Sequence, residues 1–322
     1  MMPRYIKPNS IIHGDSREVL KRIRPNSISC SIWSPPYHVG KEYEAHMDYE
    51  DWKELLGEVI NSHYRVLKPG AFLVINIADI LCFRDPSMPR IMAENPSRRK
   101  IPVTRDQIVI VMKKHPEYNR YRIAELLGCS EQTVDRRLKD NNIRGGKYAT
   151  QTRVKLVGGM IEEMAIESSF YLYDRRIWVK DPAWENSRWH SLSYRSVDEF
   201  EYIYIFWKPG ITTVDRDRLT KEEWVMWGSR AVWEIPSVRA NDDHEAKFPL
   251  ELPRRLIKLF TKPNNIVLDC FVGSGTTAVA AIYEGRKYIG IDIEKRYVDM
   301  AIQACAKARD NLVQKEKIKS LF

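Results

Sequence analysis

The chain has 322 residues, 43% of them hydrophobic, enough for one large domain or for a domain that carries a substantial insertion. No apolar segment approaches the length that crosses a bilayer, and the N-terminus lacks the apolar core of a signal peptide, which predicts a cytoplasmic protein without a membrane partner. Five cysteines without a CxxC pair, and without ligand spacing to the histidines, argue against a disulfide framework and against a metal site.

The formal net charge of +9 is concentrated in one segment of the chain. Residues 90–153 contain 15 Lys and Arg but only 7 Asp and Glu. A local basic excess of this size is typical of a surface that binds a polyanion, and without a membrane signal nucleic acid is the favoured partner. A solvated basic surface without a partner is the alternative.

The first 80 residues alternate between strand and helix patterns. A short strand ends at Asp15, which starts an amphipathic helix and is either its N-cap or a ligand contact. Residues 29–33 predict a buried parallel strand, and a helix follows from about residue 51 to residue 67. Lys68-Pro69-Gly70 is expected to stop that helix before the next strand, residues 71–77. This order defines an α/β unit.

The four residues Ser34-Pro35-Pro36-Tyr37 follow the first buried strand directly. The prolines end that strand, because neither can donate a ladder hydrogen bond. The turn therefore lies at the carboxyl end of a strand, where open α/β sheets bind ligands. The Ser34 hydroxyl and the Pro35 carbonyl could accept two hydrogen bonds from a flat amino group while Tyr37 stacks on its ring. A proline-stiffened loop with a packed tyrosine is the alternative.

Residues 121–138, inside the basic segment, predict two short helices joined by a glycine turn, with Ser130 as the second N-cap. The residues expected to face inward are Ile123, Ala124, Leu126, Leu127, Val134 and Leu138. The residues expected to face outward and to contact DNA are Gln132, Thr133, Arg136 and Arg137. This is the layout of a helix-turn-helix, whose second helix enters a major groove, although such hairpins also occur without DNA.

A second α/β unit lies near the C-terminus. A strand ends at Asp269, a glycine turn over residues 271–277 leads into a helix, and the next strand ends at Asp292. Glycines let backbone N–H groups approach a ligand at a positive helix end, and an acid on the following strand suits ribose hydroxyls. The spacing GxGxxG and a loop lysine are both absent, so a nucleoside without phosphate fits better than a dinucleotide or a nucleotide phosphate.

Together these motifs resemble the S-adenosylmethionine-dependent DNA methyltransferases that modify exocyclic amino groups, in the permuted group whose catalytic motif precedes the cofactor motif. The matching motifs are His13-Gly14-Asp15, Ser34-Pro35-Pro36-Tyr37, Leu67-Lys68-Pro69-Gly70, residues 241–249 (NDDHEAKFP), residues 271–277 (FVGSGTT) and Gly290-Ile291-Asp292. The resemblance covers residues 9–80 and 198–310 but not the basic middle segment.

The resemblance implies an α/β fold, a Rossmann-like methyltransferase sheet with an inserted, mainly helical DNA-recognition region. Residues 1–90 would form the catalytic part of the methyltransferase domain. Residues 91–195 would form the basic target-recognition region, with the helix-turn-helix-like pair at 120–139. Residues 196–322 would form the cofactor-binding part.

The resemblance also implies the site residues. Ser34, Pro35, Pro36 and Tyr37 would be catalytic. The residues implied for S-adenosylmethionine are Asp15, Lys247, Phe248, Pro249, Asp269, Phe271, Gly273, Gly275, Thr276, Thr277 and Asp292. Among them Asp292 would hold the ribose hydroxyls and Asp15 the adenine. Lys247 has the alternative of being a plain surface lysine.

The implied activity is site-specific methylation of cytosine N4 on a base flipped out of double-stranded DNA, in a restriction-modification system. In this family a serine as the first residue of the catalytic tetrapeptide, which is Ser34 in this chain, most often accompanies methylation of cytosine N4. Methylation of adenine N6 is the alternative. Carbon-5 methylation is disfavoured, since it needs a cysteine nucleophile that the catalytic turn lacks. The expected partners are DNA and a separately acting restriction endonuclease, and the chain is expected to be a monomer or a homodimer. A helix-turn-helix regulator and an RNA or protein methyltransferase also stay open.

Overall fold

The computed structural model describes residues 5–36, 48–94, 102–139, 147–182, 195–238 and 249–319. In chain order the strands of these ranges are β1 (Ser10–His13), β2 (Ile28–Trp33), β3 (Leu67–Ile77), β4 (Ile80–Arg84), β5 (Ile91–Glu94), β6 (Lys147–Thr150), β7 (Thr152–Lys155), β8 (Tyr171–Val179), β9 (Phe200–Trp207), β10 (Val232–Glu234), β11 (Ile266–Asp269) and β12 (Lys287–Asp292). The helices are α1 (Ser16–Lys21), α2 (Tyr49–Val66), α3 (Arg105–Lys114), α4 (Arg120–Leu126), α5 (Glu131–Leu138), α6 (Gly158–Glu167), α7 (Lys221–Glu223), α8 (Glu251–Phe260), α9 (Thr276–Tyr283) and α10 (Lys295–Lys319). A π-helical turn, Trp224–Gly228, follows α7.

The chain divides into two compact units. The larger unit comprises Met1–Phe83, Arg153–Ala183 and Asp198–Phe322, and the smaller unit comprises Arg84–Thr152 and Trp184–Val197. This division differs from the predicted insertion at residues 91–195, because β8 joins the main sheet and α6 packs into the core of the larger unit. The functional assignment of the three predicted segments stays a prediction.

An eight-stranded sheet forms the centre of the larger unit, in the order β1-β12-β11-β2-β3-β9-β8-β10. Strand β9 is antiparallel to both of its neighbours, and the other neighbouring pairs are parallel. The carboxyl ends of β1, β12, β11 and β2 therefore lie at one edge of the sheet, although they come from opposite ends of the chain. The predicted α/β class is confirmed.

The sheet has an apolar layer on each face. Helices α1, α2 and α6 contribute to one cluster of buried side chains, with Leu20, Leu56 and Ile161 among its members. Helices α8, α9 and α10 contribute to the other, which contains Leu256 and Ala280. Burial of a large aliphatic side chain stabilises a fold by about 1.5–3 kcal/mol, so these two layers hold the strand ends in place. Along the described ranges, no helix is both long and apolar enough to traverse a bilayer.

Strand β2 and helix α2 form the scaffold of the first motif. All six residues of β2 are buried, as expected for a central parallel strand. Asp48 is the N-cap of α2 and forms a capping box with Asp51. The helix ends at Val66 and β3 begins at the next residue, so Lys68-Pro69-Gly70 lies within the strand. The prediction that these three residues separate the helix from the strand is therefore wrong.

The ammonium of Lys208 closes the carboxyl end of α2. It donates hydrogen bonds to the carbonyls of Tyr64 at 2.6 Å and Leu67 at 2.8 Å, and it lies over the Tyr64 ring. These carbonyls have no partner within the helix, so the lysine satisfies them and lets the chain pass directly into β3. Burial lowers the pKa of Lys208.

Helices α3, α4 and α5 form the core of the smaller unit. Its buried side chains are Val103, Ile108, Ile123, Ala124 and Val134. The predicted helix pair is present, with Ser130 accepting a hydrogen bond from the Thr133 N–H as the N-cap of α5. Leu126, for which the pattern predicts an inward position, is 57% exposed. It lies about 100° around the helix from the stripe formed by its buried neighbours, given 3.6 residues per turn.

Candidate functional site

Four strand ends meet at one edge of the main sheet. His13 of β1 is in register with Asp292 of β12, and Asp269 of β11 is in register with Gly290. On the other side of β11, Leu268 is in register with Ser31 of β2. The residues that follow these strands are therefore neighbours in space, which brings together the motifs predicted from distant parts of the sequence.

The glycine loop between β11 and α9 has a backbone that only glycine adopts readily. Gly275 is the N-cap of α9 with φ +94°, and a side chain there would place its Cβ 2.9 Å from the Ala301 Cα. Gly273 has φ +49°, and its N–H donates to the Asp292 carboxylate at 2.9 Å. The loop is therefore held at Gly275 by packing against α10 and at Gly273 by the Asp292 carboxylate.

Asp292 uses both carboxylate oxygens in this structure. Oδ2 accepts from Gly273, and Oδ1 accepts from the Glu294 N–H at 2.9 Å. Burial raises the pKa of Asp292. Each carboxylate oxygen has two lone pairs, so the group can hold the loop and still accept a hydroxyl.

Asp269 lies deeper than Asp292, at 2% exposure. Its Oδ1 accepts from the Phe271 N–H at 3.0 Å. Burial raises the pKa of Asp269 to about 7, since the apolar surroundings disfavour the carboxylate. Thr277, in the first turn of α9, is also buried, whereas Thr276 is only partly covered. Asp269 is therefore a carboxyl group that titrates near neutrality behind the glycine loop.

Asp15 is the N-cap of α1, which is one of the two possibilities predicted for it. Its Oδ1 accepts from the Arg17 N–H at 2.8 Å. The Arg17 guanidinium also grips the carboxylate, with Nη2 donating to Oδ2 at 2.6 Å, and extends to Glu58 at 3.4 Å. These hydrogen bonds lower the pKa of Asp15. Arg17 is a residue of the candidate site that the sequence motifs do not include.

Ser34, Pro35 and Pro36 follow β2 at the same sheet edge, with Pro35 buried and the other two partly covered. Trp33, immediately before them, is fully buried and packs edge to face against Phe271 of the glycine loop, with ring centroids 5.4 Å apart. The strand that leads into the Ser-Pro-Pro turn and the glycine loop are thus joined by one aromatic contact.

Three predicted site residues, Tyr37, Lys247 and Phe248, lie outside the described residues. Pro249 is described and buried, and its carbonyl accepts from the Leu252 N–H at 3.1 Å at the start of α8.

The four predicted DNA-binding residues lie on α5, in the smaller unit. Gln132 and Arg136 are exposed, whereas Thr133 and Arg137 are partly covered. The Thr133 hydroxyl lies 3.0 Å from the Ser130 hydroxyl at the N-cap, so it also supports the helix start. The structure therefore presents Gln132 and Arg136 most openly.

The sequence motifs do not identify two residues near the site, Ile293 and Trp52. In the sequence, Ile293 resembles an ordinary surface residue and Trp52 an ordinary core residue. Ile293 follows Asp292 and is 63% exposed, with its carbonyl 3.0 Å from His13 Nε2. Trp52 of α2 lies on the apolar stripe of its helix and is 1% exposed, yet its indole N–H donates to the Pro36 carbonyl at 2.6 Å.

The Ser31 hydroxyl and His63 Nε2, 2.9 Å apart, look like a serine–histidine nucleophile pair. Both residues are fully buried, and burial lowers the pKa of His63 to about 4. The His63 Nδ1 lies 2.7 Å from the Val59 carbonyl of its own helix. The pair therefore joins β2 to α2 inside the core and has no access to a substrate.

The donor and acceptor set at the sheet edge fits a nucleoside. Asp269 and Asp292 end neighbouring strands, the glycine loop lies between them, and Ile293 adds an exposed apolar side chain. Carboxylates accept hydrogen bonds from hydroxyl and amino groups and repel phosphate, and the loop contains no lysine. The arrangement is that of an α/β protein whose sheet edge carries acceptors suited to a nucleoside beside a Ser-Pro-Pro turn.

The chain belongs to a family of DNA methylases, the N6/N4 group, whose model matches residues 28–303. A type II methyltransferase of Bacillus subtilis, M.BglI, is 60% identical over 297 residues, which cover 92% of this chain and 85% of the relative. The DNA adenine methyltransferase YhdJ of Escherichia coli K12 is 27% identical over 304 residues, which cover 91% of this chain and 81% of YhdJ.

Solved structures agree with this assignment. TTHA0409 of Thermus thermophilus, solved in complex with S-adenosylmethionine, matches 93% of this chain and 94% of its own, with a TM-score of 0.61 and 25% identity. The cytosine-N4-specific PvuII DNA methyltransferase matches 96% of this chain and 93% of its own, with a TM-score of 0.56 and 18% identity, and so shows the shared fold. The predicted methyltransferase-like sheet is confirmed, and a DNA-binding regulator and an RNA or protein methyltransferase are no longer needed as alternatives.

Proposed function

We propose that this DNA methyltransferase transfers the methyl group of S-adenosylmethionine to cytosine N4 at a specific sequence of double-stranded DNA. The observation that supports it best is the contact between Trp33 and Phe271, which joins the Ser34-Pro35-Pro36 turn to the glycine loop. A methyl-donor site and an amino-group site must lie side by side for direct transfer. The type II methyltransferase M.BglI, at 60% identity, supports a place in a restriction-modification system.

S-adenosylmethionine is the methyl donor, and its sulfonium supplies an electrophilic methyl group. Asp292 would accept hydroxyl hydrogens of the ribose, and Asp15 would contact the adenine. Asp269, Phe271, Gly273, Gly275, Thr276 and Thr277 would line the methionine and ribose region, with Lys247, Phe248 and Pro249 on the opposite wall. The solved complex of TTHA0409 with S-adenosylmethionine, which has the same fold, supports S-adenosylmethionine as the cofactor.

The catalytic turn would act by orientation. Inside a duplex the amino group of cytosine is paired and stacked, so the base must leave the helix before it reaches Ser34. The Ser34 hydroxyl and the Pro35 carbonyl would accept the amino hydrogens and direct the nitrogen lone pair towards the methyl group. Tyr37 would stack on the flipped ring, a contact worth about 1–3 kcal/mol. The methylated amine loses its proton readily, so a serine suffices and a strong base is not required.

Ser34 is the reason to favour cytosine N4, because the serine form of the tetrapeptide usually accompanies that target in the family. Adenine N6 is the second candidate, and the similarity to the adenine methyltransferase YhdJ, at 27% identity, favours it. Both amino groups present two hydrogens to the same pair of acceptors. The turn alone therefore orients either base, and the choice depends on which ring the pocket admits.

Sequence recognition would belong to the smaller unit. Helix α5 would lie in the major groove, with Gln132 and Arg136 reaching base edges and Thr133 and Arg137 contacting the backbone. This assignment rests on the exposure of Gln132 and Arg136 and on the basic excess of residues 90–153.

Nucleoside mass spectrometry of DNA methylated in vitro tests the proposal. Unmethylated genomic DNA is incubated with the protein and S-adenosylmethionine, digested to nucleosides and compared with DNA treated with the Ser34→Ala variant. We expect N4-methylcytosine that is strongly reduced with the variant. N6-methyladenine as the sole product would overturn the cytosine assignment and leave the methyltransferase intact.

A further inference from the structure

We propose that Trp52 is a positioning residue for the reaction, because its indole N–H fixes the carbonyl of Pro36 in the catalytic turn. The inference rests on the proposed role of Ser34-Pro35-Pro36-Tyr37. The hydrogen bond joins Trp52 Nε1 to the Pro36 oxygen at 2.6 Å across 16 positions of sequence. It is short for an N–H···O bond, whose usual distance is about 2.9–3.0 Å.

The turn has few backbone donors of its own. Pro35 and Pro36 have no backbone N–H, so neither can donate a backbone hydrogen bond. Trp52 is 1% exposed and supplies a donor to the turn from the first turn of α2. A buried indole N–H usually has a partner, and here the partner belongs to the catalytic motif.

Trp52 itself is firmly held. The capping box of Asp48 and Asp51 defines the start of α2. The backbone N–H of Trp52 donates to the Asp48 carbonyl at 3.0 Å. The Tyr49 ring packs beside the indole with centroids 5.8 Å apart, and the Tyr49 hydroxyl donates to Met160 Sδ at 3.4 Å. The indole donor is therefore a fixed reference point for the turn.

The Pro36 carbonyl belongs to the peptide unit that leads into Tyr37. A peptide unit is planar, so a hydrogen bond to its oxygen restricts the rotation of the whole unit. Direct methyl transfer depends on alignment, and a displacement of about 1 Å can cost about 100-fold in rate. Loss of this bond should therefore slow methyl transfer while leaving the glycine loop and cofactor binding unchanged.

The test compares Trp52→Phe with a variant that carries benzothienylalanine at position 52, which keeps the ring shape and replaces N–H by sulfur. Trp178→Phe is the matched control. Trp178 is also buried and donates to a carbonyl, that of Ile235 at 2.7 Å, but it belongs to the apolar cluster on the other face of the sheet. Single-turnover transfer of tritiated methyl groups to DNA, the dissociation constant of S-adenosylmethionine and Tm are measured for each protein.

We expect both position-52 variants to lose about tenfold or more in single-turnover rate, equivalent to about 1.4 kcal/mol, with an S-adenosylmethionine dissociation constant within twofold of the original. Trp178→Phe should lose stability but keep its rate. A benzothienylalanine variant with an unchanged rate would overturn the proposal, as would an equal rate loss in Trp178→Phe. This assay measures transfer of tritiated methyl groups to any base of the DNA. If the protein without substitutions transfers no label to DNA, the result refutes the proposed function instead.

Discussion

Trp33 and Phe271 meet edge to face with their ring centroids 5.4 Å apart and their planes at 68°. Trp33 ends the strand that leads into the Ser-Pro-Pro turn, and Phe271 opens the glycine loop. An aromatic pair of this kind contributes about 0.5–1.5 kcal/mol beyond its buried area. The two halves of the proposed site, far apart in sequence, are thus held in one arrangement by a contact in the protein itself.

Phe271→Leu keeps an apolar side chain but removes the aromatic pair. We expect a lower affinity for S-adenosylmethionine, by about fivefold for 1 kcal/mol, together with a slower single-turnover methyl transfer. Calorimetry and rapid quench measure the two quantities. Phe260→Leu, on the other face of the sheet, is the control and should change neither. A Phe271→Leu protein with unchanged affinity and rate would show that the contact only fills space.

Asp292→Ala removes the acceptor that holds the N–H groups of Gly273 and Glu294. We expect S-adenosylmethionine affinity to fall by more than tenfold, since the loop loses its tether and the ribose loses an acceptor. Gly273→Val should abolish binding, because its positive φ disfavours a branched side chain. Calorimetry measures the S-adenosylmethionine affinity of both variants. The control is Asp299→Ala, because Asp299 is a half-exposed residue of α10 that pairs with Lys295. Normal binding by both site variants would place the nucleoside pocket elsewhere.

Asp269 should make stability depend on pH in a defined window. Burial raises the pKa of Asp269 to about 7 from an ordinary value of 3.8, so the folded protein binds a proton that the unfolded chain releases. The free energy of unfolding should therefore fall as pH rises from about 4 to about 7, by on the order of 4 kcal/mol from this group alone.

Asp269→Asn should remove that slope. Urea unfolding of both proteins without cofactor, at pH values from 4.5 to 8, measures the difference in their free energy of unfolding, and this difference should shift in favour of the variant as pH rises. A difference that stays constant with pH would mean that Asp269 is ionised throughout and is stabilised by a partner.

Arg136→Gln and Arg137→Gln together should weaken DNA binding and flatten its dependence on salt. Removing one interaction with a phosphate should reduce the slope of log K against log salt concentration by about 0.9. Fluorescence anisotropy with a DNA duplex between 50 and 200 mM salt measures it. The double Arg→Lys variant keeps both charges and should keep the slope. An unchanged slope in the Gln variant would mean that Arg136 and Arg137 do not contact DNA phosphates and that α5 has only a structural role.

Ser34→Ala and Tyr37→Ala separate orientation from stacking in the proposed chemistry. Removing the Ser34 hydroxyl should lower turnover with little loss of DNA affinity, because one aligning contact disappears. Tyr37→Ala should lower turnover further and weaken DNA binding, because the flipped ring loses its platform. Steady-state kinetics and DNA binding are measured with S-adenosylmethionine affinity as the common control. Equal turnover in Ser34→Ala and the original protein would remove Ser34 from the mechanism.

The elements that carry the site are predictable because their signals are local. A few residues are enough to predict each strand or turn of the site. These signals are the apolar segment before Ser34, the glycines of residues 271–277 and the acidic residue at the end of β12. The N-cap role of Asp15 also follows from its position before an amphipathic helix.

The features that escape prediction depend on packing at a distance. The register of β1 against β12 joins residues that are far apart along the chain, and no local pattern selects that partner. Trp52 looks like core because the direction of its indole N–H depends on where α2 lies against β2. The Arg17 clasp on Asp15 depends in the same way on a side-chain conformation. Leu126 is predicted on the wrong face because a helix of seven residues defines its apolar stripe poorly.

The position of β2 in the sheet also has a consequence for synthesis of the protein. Strand β2 pairs with β3 on one side and with β11, residues Ile266–Asp269, on the other. While the nascent chain emerges, the β11 side of β2 stays an open sheet edge until residue 269 has left the ribosome, and such edges recruit other chains. The Ser-Pro-Pro turn that follows β2 is therefore translated long before the strand that covers this side of β2.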